Sequence, residues 1–418
     1  MKLVKTTLFS GVITFIRILS GFIASKVVAV FTGPLGVALI GQFINFVTVV
    51  LAFANGAINM GVVKYTAELN GDTDQLKALF STAFKISITC SAIVGTILIF
   101  SAPYMAIGLF HNLIYQNPIR VLGATIILYS LNTLLISILN GKGEIKTYTI
   151  VNSIGSLIGL LFTVVLVFYM KVQGALYALV LSQSIIFFIT GFLISRSDWF
   201  SWSYFNQSFN LVIAKKLSHF TLMAVVSSIT LPIAQIVLRN YLTKKLGINS
   251  AGYWQGMMRI SDGYLLLITT ALGTYYLPKL ASLKENKELK TEIYQGYKII
   301  IPAVTVSCLL IFLLRIWIIK VLYTSDFIEM KELFFYQLIG DFFKIAAWIL
   351  AYLMLAKSMT RTFIVTEVFF TLSYIFISVL CIDRFKLQGI SIAFAINYFL
   401  YFLIMVLIFR KLLFLKNE

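Results

Sequence analysis

The sequence predicts an all-α integral membrane protein of twelve transmembrane helices, and three observations predict it. Of the 418 residues, 60% are hydrophobic and only 12% are charged, about half the charge that a soluble domain carries. The apolar residues run in unbroken stretches of about 20, the length that crosses roughly 30 Å of hydrocarbon at 1.5 Å rise per residue. Most charges gather between those stretches. A soluble enzyme is excluded, because so much Leu, Ile, Val and Phe could not be kept from water. A transmembrane β-barrel is excluded too, since its strands would be short segments of alternating polarity.

The stretches fall at roughly 6–31, 38–63, 81–101, 118–140, 148–170, 174–195, 217–239, 251–277, 295–318, 333–356, 362–382 and 389–410. Arg17 interrupts the apolar run of the first, and no small-residue cleavage pattern follows it, so it reads as a retained helix. A glycine-rich turn, Gly33-Pro34-Leu35-Gly36, leads through Gly41-Gln42 into the second, which closes on Lys64-Tyr65. The longest connection, around Ser195–Lys216, is aromatic and amphipathic. It is expected to lie on the cytoplasmic face with Trp199 and Trp202 at headgroup level. It divides the chain into a first six-helix lobe at 1–195, a linker at 196–216 and a second six-helix lobe at 217–418.

In the seventh stretch Pro232 follows Ser227-Ser228-Ile229-Thr230-Leu231. Proline frees a carbonyl that neighbouring hydroxyls can satisfy, which suits a gating helix. The eighth opens as the second did: Gly247 to Gly252 lead through Gln255-Gly256 to Pro278-Lys279. The offset is about 215 residues, and six helices is an even number, so the halves are parallel repeats about an axis along the membrane normal.

The net charge of +18 comes from 34 Lys and Arg against 16 Asp and Glu. With Met1 on the cytoplasmic side, the loops of that side hold about 20 basic residues and the other side about 10, as the positive-inside rule requires. Both termini are therefore expected in the cytoplasm, and topology accounts for a basic balance that would otherwise suggest nucleic acid. Cys90, Cys308 and Cys381 sit apart inside apolar stretches, and His111 and His219 lie at expected interfaces with no carboxylate spacing around them. Neither a disulfide framework, a metal nor any other cofactor is implied. No Walker A sequence, HExxH, GxSxG or acidic DxD cluster occurs. The chain thus reads as a carrier driven by an ion gradient, the membrane potential or its substrate's own gradient, rather than as an enzyme.

Among the charges inside the stretches, seven are the most informative: Arg17, Lys26, Arg259, Asp262, Asp341, Lys344 and Glu367. A charge in hydrocarbon costs about 2.5 kcal/mol or more, so each must face a partner or a polar cavity. Arg17, Arg259, Asp262, Asp341 and Lys344 lie roughly 12–18 Å from a membrane face. Arg259–Asp262 and Asp341–Lys344 are each three apart, so each pair shares a helix face. Two readings stand at this point. Either each pair is a local ion pair that offsets its own burial, or both line a cavity, with the acids positioning the bases or carrying coupling protons. Arg17 has no acid within a turn and is the best single candidate for an anion ligand. Lys26 faces the same way only if the helix bends at Ser20-Gly21, and Glu367, about 8 Å deep, can reach the surface.

Several stretches carry a resemblance: Ser25-Lys26-Val27-Val28-Ala29-Val30 with Gly33-Pro34; Val63-Lys64-Tyr65; His219-Phe220-Thr221-Leu222-Met223-Ala224 running to Leu231-Pro232; Trp254-Gln255-Gly256; Ile260-Ser261-Asp262; Tyr276-Leu277-Pro278; and Gln337-Leu338-Ile339-Gly340-Asp341 with Lys344. Together they resemble the Wzx-type flippases of the multidrug/oligosaccharidyl-lipid/polysaccharide exporter superfamily, above all its enterobacterial lipid III group. The resemblance covers nearly the whole chain.

It implies two six-helix lobes around a central cavity that opens alternately to either side of the bacterial inner membrane. It also implies a substrate, an oligosaccharide on undecaprenyl pyrophosphate, with a polysaccharide polymerase and a chain-length regulator as further partners in the same lipid. Lys26, Lys64, Asp262, Asp341 and Lys344 fall on positions matching the family pattern, whereas Arg259 departs from it. The substrate-binding set is then Arg17, Lys26, Lys64, Arg259 and Lys344. Asp262, Asp341 and Glu367 would couple or position, and Pro232 would gate. Two rival functions are a multidrug or cation antiporter of the same superfamily, whose cavity should favour cations, and a membrane-embedded polymerase, which should carry a large periplasmic loop or an acidic catalytic motif.

Overall fold

The structure is a computed structural model that describes residues 2–413 except 198, 284 and 358, with no side chain described at 2–10, 12, 13, 219, 220, 222, 223 or 274. The described residues contain no strand. The helices are α1 (Lys2–Ala54), α2 (Asn59–Glu68), α3 (Thr73–Phe110), α4 (Gln116–Lys142), α5 (Ile145–Ser195), α6 (Leu211–Leu246), α7 (Ile248–Ala271), α8 (Leu277–Ser282), α9 (Asn286–Leu322), α10 (Phe334–Ala356), α11 (Thr360–Ile408) and α12 (Arg410–Leu413).

Eight segments among the described residues are long and apolar enough to cross a membrane. Three of them lie in helices far too long for one crossing, α1, α5 and α11, and each of these breaks once. The breaks are at Gly33 (φ 63°), Lys171 (φ 51°, ψ −127°) and Lys386 (φ 54°, ψ −131°). Counting each as two spans and adding α7, the twelve crossings expected from the sequence are present. Large apolar side chains such as Phe100, Leu313 and Phe376 stay exposed on the helix surfaces, as lipid-facing positions do.

The breaks reveal the repeat more firmly than the turn composition could. Lys386 follows Lys171 by 215 positions, and the two open the matching tetrapeptides Lys171-Val172-Gln173-Gly174 and Lys386-Leu387-Gln388-Gly389. Both lysines adopt the conformation of the first central residue of a type II′ turn, ordinarily a glycine's place. Three residues on, a Cβ on Gly174 would overlap the Leu166 carbonyl, and one on Gly389 would overlap that of Cys381. Residues eight apart in a continuous helix stand about 12 Å apart, so such contacts mean that the chain has doubled back. Gly33 and Gly247 (φ 87°) turn the two halves at corresponding places. The second and eighth spans are also both interrupted, by Asn55-Gly56-Ala57 between α1 and α2 and by a π-helical turn at Leu272–Tyr276 between α7 and α8.

By contacts the chain forms two compact units. Unit 1 holds residues through Thr32 and Leu39–Ile236; unit 2 holds Gly33–Ala38 and the residues from Val237 on. The boundary thus falls inside α6, four residues beyond Pro232. That helix stays continuous through the proline; Thr230 Oγ1 donates to the Val226 carbonyl at 2.8 Å and Ser227 Oγ to that of Ala224 at 3.2 Å.

The linker is more firmly held than a segment resting among headgroups would be. A 3-10 turn at Trp202–Phe205 is capped by Ser201, and Tyr204 and Trp199 pack on Phe80 of α3 with ring centroids 5.7 and 6.3 Å away. Ser81 Oγ donates to the Phe205 and Gln207 carbonyls at 3.1 and 2.6 Å, and the Asn210 amide donates to Thr82 Oγ1 at 3.2 Å. Trp202 alone of the pair remains open, 77% exposed.

A positive φ at a non-glycine residue stores about 1–3 kcal/mol. Lys386→Gly should therefore raise the thermal unfolding midpoint in detergent by a few degrees. Gly389→Ala, which must push the hairpin apart, should lower it by the equivalent of about 1–3 kcal/mol.

Candidate functional site

α10 carries the two buried charges that spacing placed on one face, and the structure shows how each is held. Asp341 is 0% exposed. Ser261 Oγ and Tyr264 Oη, both from α7, donate to its Oδ2 at 2.6 and 2.8 Å, and Gln337 Nε2 stands 3.5 Å from Oδ1. Tyr264 Oη also lies 3.5 Å from Cys308 Sγ on α9, so the carboxylate ends a short polar chain through three helices. Hydrogen bonds to an ionised acceptor are shorter and about twice as strong as neutral ones, and they replace the hydration the carboxylate has lost.

Lys344 lies one turn further along, 5% exposed. Its ammonium sits over the rings of Trp348, Tyr398 and Phe394, with centroids at 5.0, 5.8 and 6.0 Å. Gly340 makes that cage possible, because a Cβ there would overlap the Phe394 ring. Asp341 and Lys344 share a face as expected, yet they do not meet as an ion pair among the described residues. The first of the two readings from spacing therefore fails for this pair. Aromatic faces stabilise a desolvated ammonium by about 2 kcal/mol each at best, but they accept none of its hydrogen bonds. Lys344 has three N–H donors, and none has an acceptor among the described residues. A buried cation held by ring faces is chemically suited to an anion.

Asp262, Asp341 and Glu367 all act electrostatically on the hydroxyl of Tyr398. Glu367 is half-buried on α11 and also faces Tyr401. Arg259 and Asp262 are both exposed on α7 and form no ion pair with each other among the described residues; Arg259 instead acts on Tyr323. Unit 2 therefore carries Asp262, Asp341, Lys344 and Glu367 together with Arg259.

Unit 1 carries the other predicted cations. Arg17 is exposed and Lys26 half-buried on the first span, and Lys64 is exposed on α2, 5.5 Å from its neighbour's Tyr65 ring. His111 caps α3 in the left-handed conformation, while the His219 side chain lies outside the described residues. Among the described residues no three His, Cys, Asp or Glu side chains gather for a metal.

One buried charge went unread in the sequence. Arg239, 3% exposed, donates to Gln255 Oε1 and lies 5.4 Å from the Trp254 ring centroid. The apolar stretch stops at residue 239, which puts Arg239 at its very end. The helix in fact runs to Leu246, about two turns further. Ser261 and Tyr264 went unread as well, since ordinary helix residues give no sign that they serve a carboxylate 80 and 77 positions away.

A family model described as "Polysaccharide biosynthesis protein" matches residues 41–332. The lipid III flippase of Escherichia coli (strain K12) is 31% identical over 403 residues, 96% of this chain and 97% of that protein, and the lipid III flippase of Shigella flexneri matches equally. Among solved structures, a multidrug resistance transporter of the MATE family and MOP superfamily, in an inward-facing conformation, superposes with a TM-score of 0.79 at 16% identity. The match covers 97% of this chain and all of that one. A MOP superfamily transporter from Pyrococcus furiosus, described as having a binding pocket of reverse polarity, superposes with a TM-score of 0.69 at 14% identity over 96% of each chain. At these identities the solved structures establish the fold alone.

Tyr264→Phe removes one charge-assisted hydrogen bond from a buried carboxylate, which should lower stability by about 1.5–3 kcal/mol. Ser261→Ala should do the same. Because both donors serve one acceptor, the double variant should lose a different amount from the sum of the two, and thermal unfolding of all three forms measures the coupling.

Proposed function

Because the chain belongs to the family of polysaccharide biosynthesis proteins, we propose that it is an inner-membrane flippase. It would carry an oligosaccharide linked to undecaprenyl pyrophosphate, a lipid III or O-antigen unit, from the cytoplasmic to the periplasmic leaflet by alternating access. One observation carries the reading: the likeness to lipid III flippases runs over nearly the whole chain, so the helices bearing Arg17, Lys26, Lys64 and Lys344 all lie inside it. The geometry of Lys344 supports it independently.

A pyrophosphate leaving water must exchange its hydration for cations and N–H donors. In this mechanism Lys344 offers a desolvated ammonium whose donors are open, while Arg17, Lys26, Lys64 and Arg259 supply further positive charge to the headgroup or to acidic sugars. Asp341 is a positioning residue that fixes the α7–α10 contact beside Lys344. Asp262 and Glu367 are the coupling acids, because protonation or a bound cation there removes negative charge near the anion's site. Pro232 marks the place where α6 yields as access alternates, and the linker at 196–216 joins the two lobes. Both termini lie in the cytoplasm, and a polysaccharide polymerase with its chain-length regulator receives the product. The protein transports without making or breaking a bond in its substrate. The antiporter alternative shares only a fold likeness at 16% identity, and the acids that would suit a cation have a place in the coupled cycle.

The test uses purified protein in liposomes with undecaprenyl-pyrophosphate oligosaccharide in one leaflet and an impermeant glycosidase outside the other. Wild-type protein should expose the glycan, and an imposed pH gradient should change the rate. Arg17→Ala and Lys344→Ala should each slow exposure at least tenfold in folded protein, about 1.4 kcal/mol or more of lost binding, and Lys344→Arg should recover part of it. Unchanged rates in both alanine variants would overturn the cationic-site account. No exposure by folded wild-type protein with any such lipid would favour the antiporter or polymerase.

A further inference from the structure

Unit 1 contains a cavity that the flippase reading leaves unused. It has a volume of about 820 Å³ and lies between the linker-proximal halves of α4 and α5 and the docked linker. Its walls are aliphatic and aromatic, among them Leu131, Leu134, Phe187 and Phe192, and Phe200 and Trp202 of the linker line it too. Phe188 and Phe192 are exposed beside it, so the cavity is reached sideways from the bilayer. Along α4 its lining runs from Leu131 to Leu135, about 6 Å of helix, and along α5 from Phe187 to Ser195, about 12 Å. The longer wall comes close to the roughly 15 Å of one hydrocarbon leaflet. An extended acyl chain standing along the membrane normal fits that depth.

The rim is polar and basic. Ser195, Ser203 and Asn206 line the cavity as well. Lys85, next to the lining Phe84, donates to the Gln207 carbonyl at 2.7 Å, which pins its ammonium at the linker edge. Arg196, next to the lining Ser195, stacks its guanidinium 4.3 Å from the centroid of the lining Phe192. Lys142 lies behind the linker, 5.3 Å from the Trp199 ring centroid. An exposed indole, two cations and small hydroxyls beside an apolar slot nearly one leaflet deep are complementary to a lipid with a negative headgroup.

We propose that this cavity binds one acyl chain of an anionic glycerophospholipid, with its phosphate between Lys85 and Arg196 at the linker edge. The site is independent of the transported substrate. Its occupant fills the space beneath Phe200 and Trp202 and so fastens the linker to α4 and α5. Neutral phospholipids satisfy the slot but not the rim, which makes headgroup charge the selective feature.

The experiment uses the full chain in nanodiscs of phosphatidylcholine doped with phosphatidylglycerol or with further phosphatidylcholine, the dopant carrying bromine near the headgroup end of one acyl chain. Tryptophan fluorescence reports proximity. At equal mole fraction, brominated phosphatidylglycerol should quench at least twofold more than brominated phosphatidylcholine, and the excess should vanish in Trp202→Phe. A side chain at Gly191, where an added Cβ meets nothing within 4 Å, should fill the slot without strain, so Gly191→Leu should also abolish the excess. Lys85→Gln with Arg196→Gln should leave the two lipids equal. Equal quenching in the wild type, or an excess that survives Gly191→Leu or the double variant, would overturn the proposal. Displacement by undecaprenyl phosphate at mole fractions where unlabelled phosphatidylglycerol has no effect would assign the slot to a prenyl tail and overturn it equally.

Discussion

A charge inside hydrocarbon must take from the protein the solvation that water no longer gives, and the buried part of unit 2 is organised around that constraint. Asp341 receives hydroxyl donors from α7 and an amide from its own helix; Lys344 receives the faces of three rings. The alternative, an ion pair between the two, would cost less desolvation per ion, because each charge would cancel its neighbour. It would also leave little field for a ligand to sense. Supporting the two ions separately keeps the ammonium electrostatically visible, and ring faces do this without occupying its N–H donors. The packing follows from that choice: Gly340 lacks a side chain so that Phe394 can approach, and Ser261 and Tyr264 lie a helical turn apart so that both hydroxyls reach one oxygen.

The same shortage of water governs the backbone. Wherever a hydroxyl falls inside a span, it tends to bond a carbonyl of its own helix one turn back, as Ser25 does to Gly21 at 2.8 Å, Thr32 to Val28 at 2.7 Å and Thr163 to Gly159 at 2.7 Å. Such bonds satisfy the side chain without a partner helix, so the spans can carry many hydroxyls without being tied together. Reversals of the chain are held tightly for the same reason. At Lys171 and Lys386 a strained lysine turns the helix in the smallest space, and the glycine three residues on admits the preceding helix against bare backbone. The lysine supplies a charge that remains in the headgroup region while its backbone makes the turn.

What the sequence discloses, and what it withholds, divides along the range of the interactions. Span number, the shared face of Asp341 and Lys344, and a repeat at an offset of about 215 residues depend on length and on spacing, so they are legible. The Lys-x-Gln-Gly tetrapeptides 215 positions apart were in view as well, though a lysine is not where one looks for a left-handed backbone. Partnership between helices is not legible. The shared face of Asp341 and Lys344 suggested a pair, and only the fold shows that α7 supplies hydroxyls to one and α11 supplies rings to the other. Arg239 was lost through a boundary, since hydropathy falls at the charge itself while the helix continues to Leu246. In the linker the aromatic content was plain, but not that Ser81 and Thr82 of α3 hold its backbone.

The distribution of charge bears on how a carrier of this kind could be driven. The in-span candidates of unit 1, Arg17 and Lys26, are cations; unit 2 sets Lys344 beside Asp262, Asp341 and Glu367. A pyrophosphate approaching Lys344 meets attraction from the ammonium and repulsion from the acids, and the balance shifts by a full charge for each acid neutralised. In the proposed cycle the anion and the coupling cation therefore favour one another's binding in unit 2, and reciprocity requires the effect to be equal in both directions. Cations alone would bind the headgroup as tightly at the end of the journey as at its start. The acids let the grip on the headgroup depend on the side of the membrane to which the site is open, wherever the coupling cation is more abundant on one side than on the other.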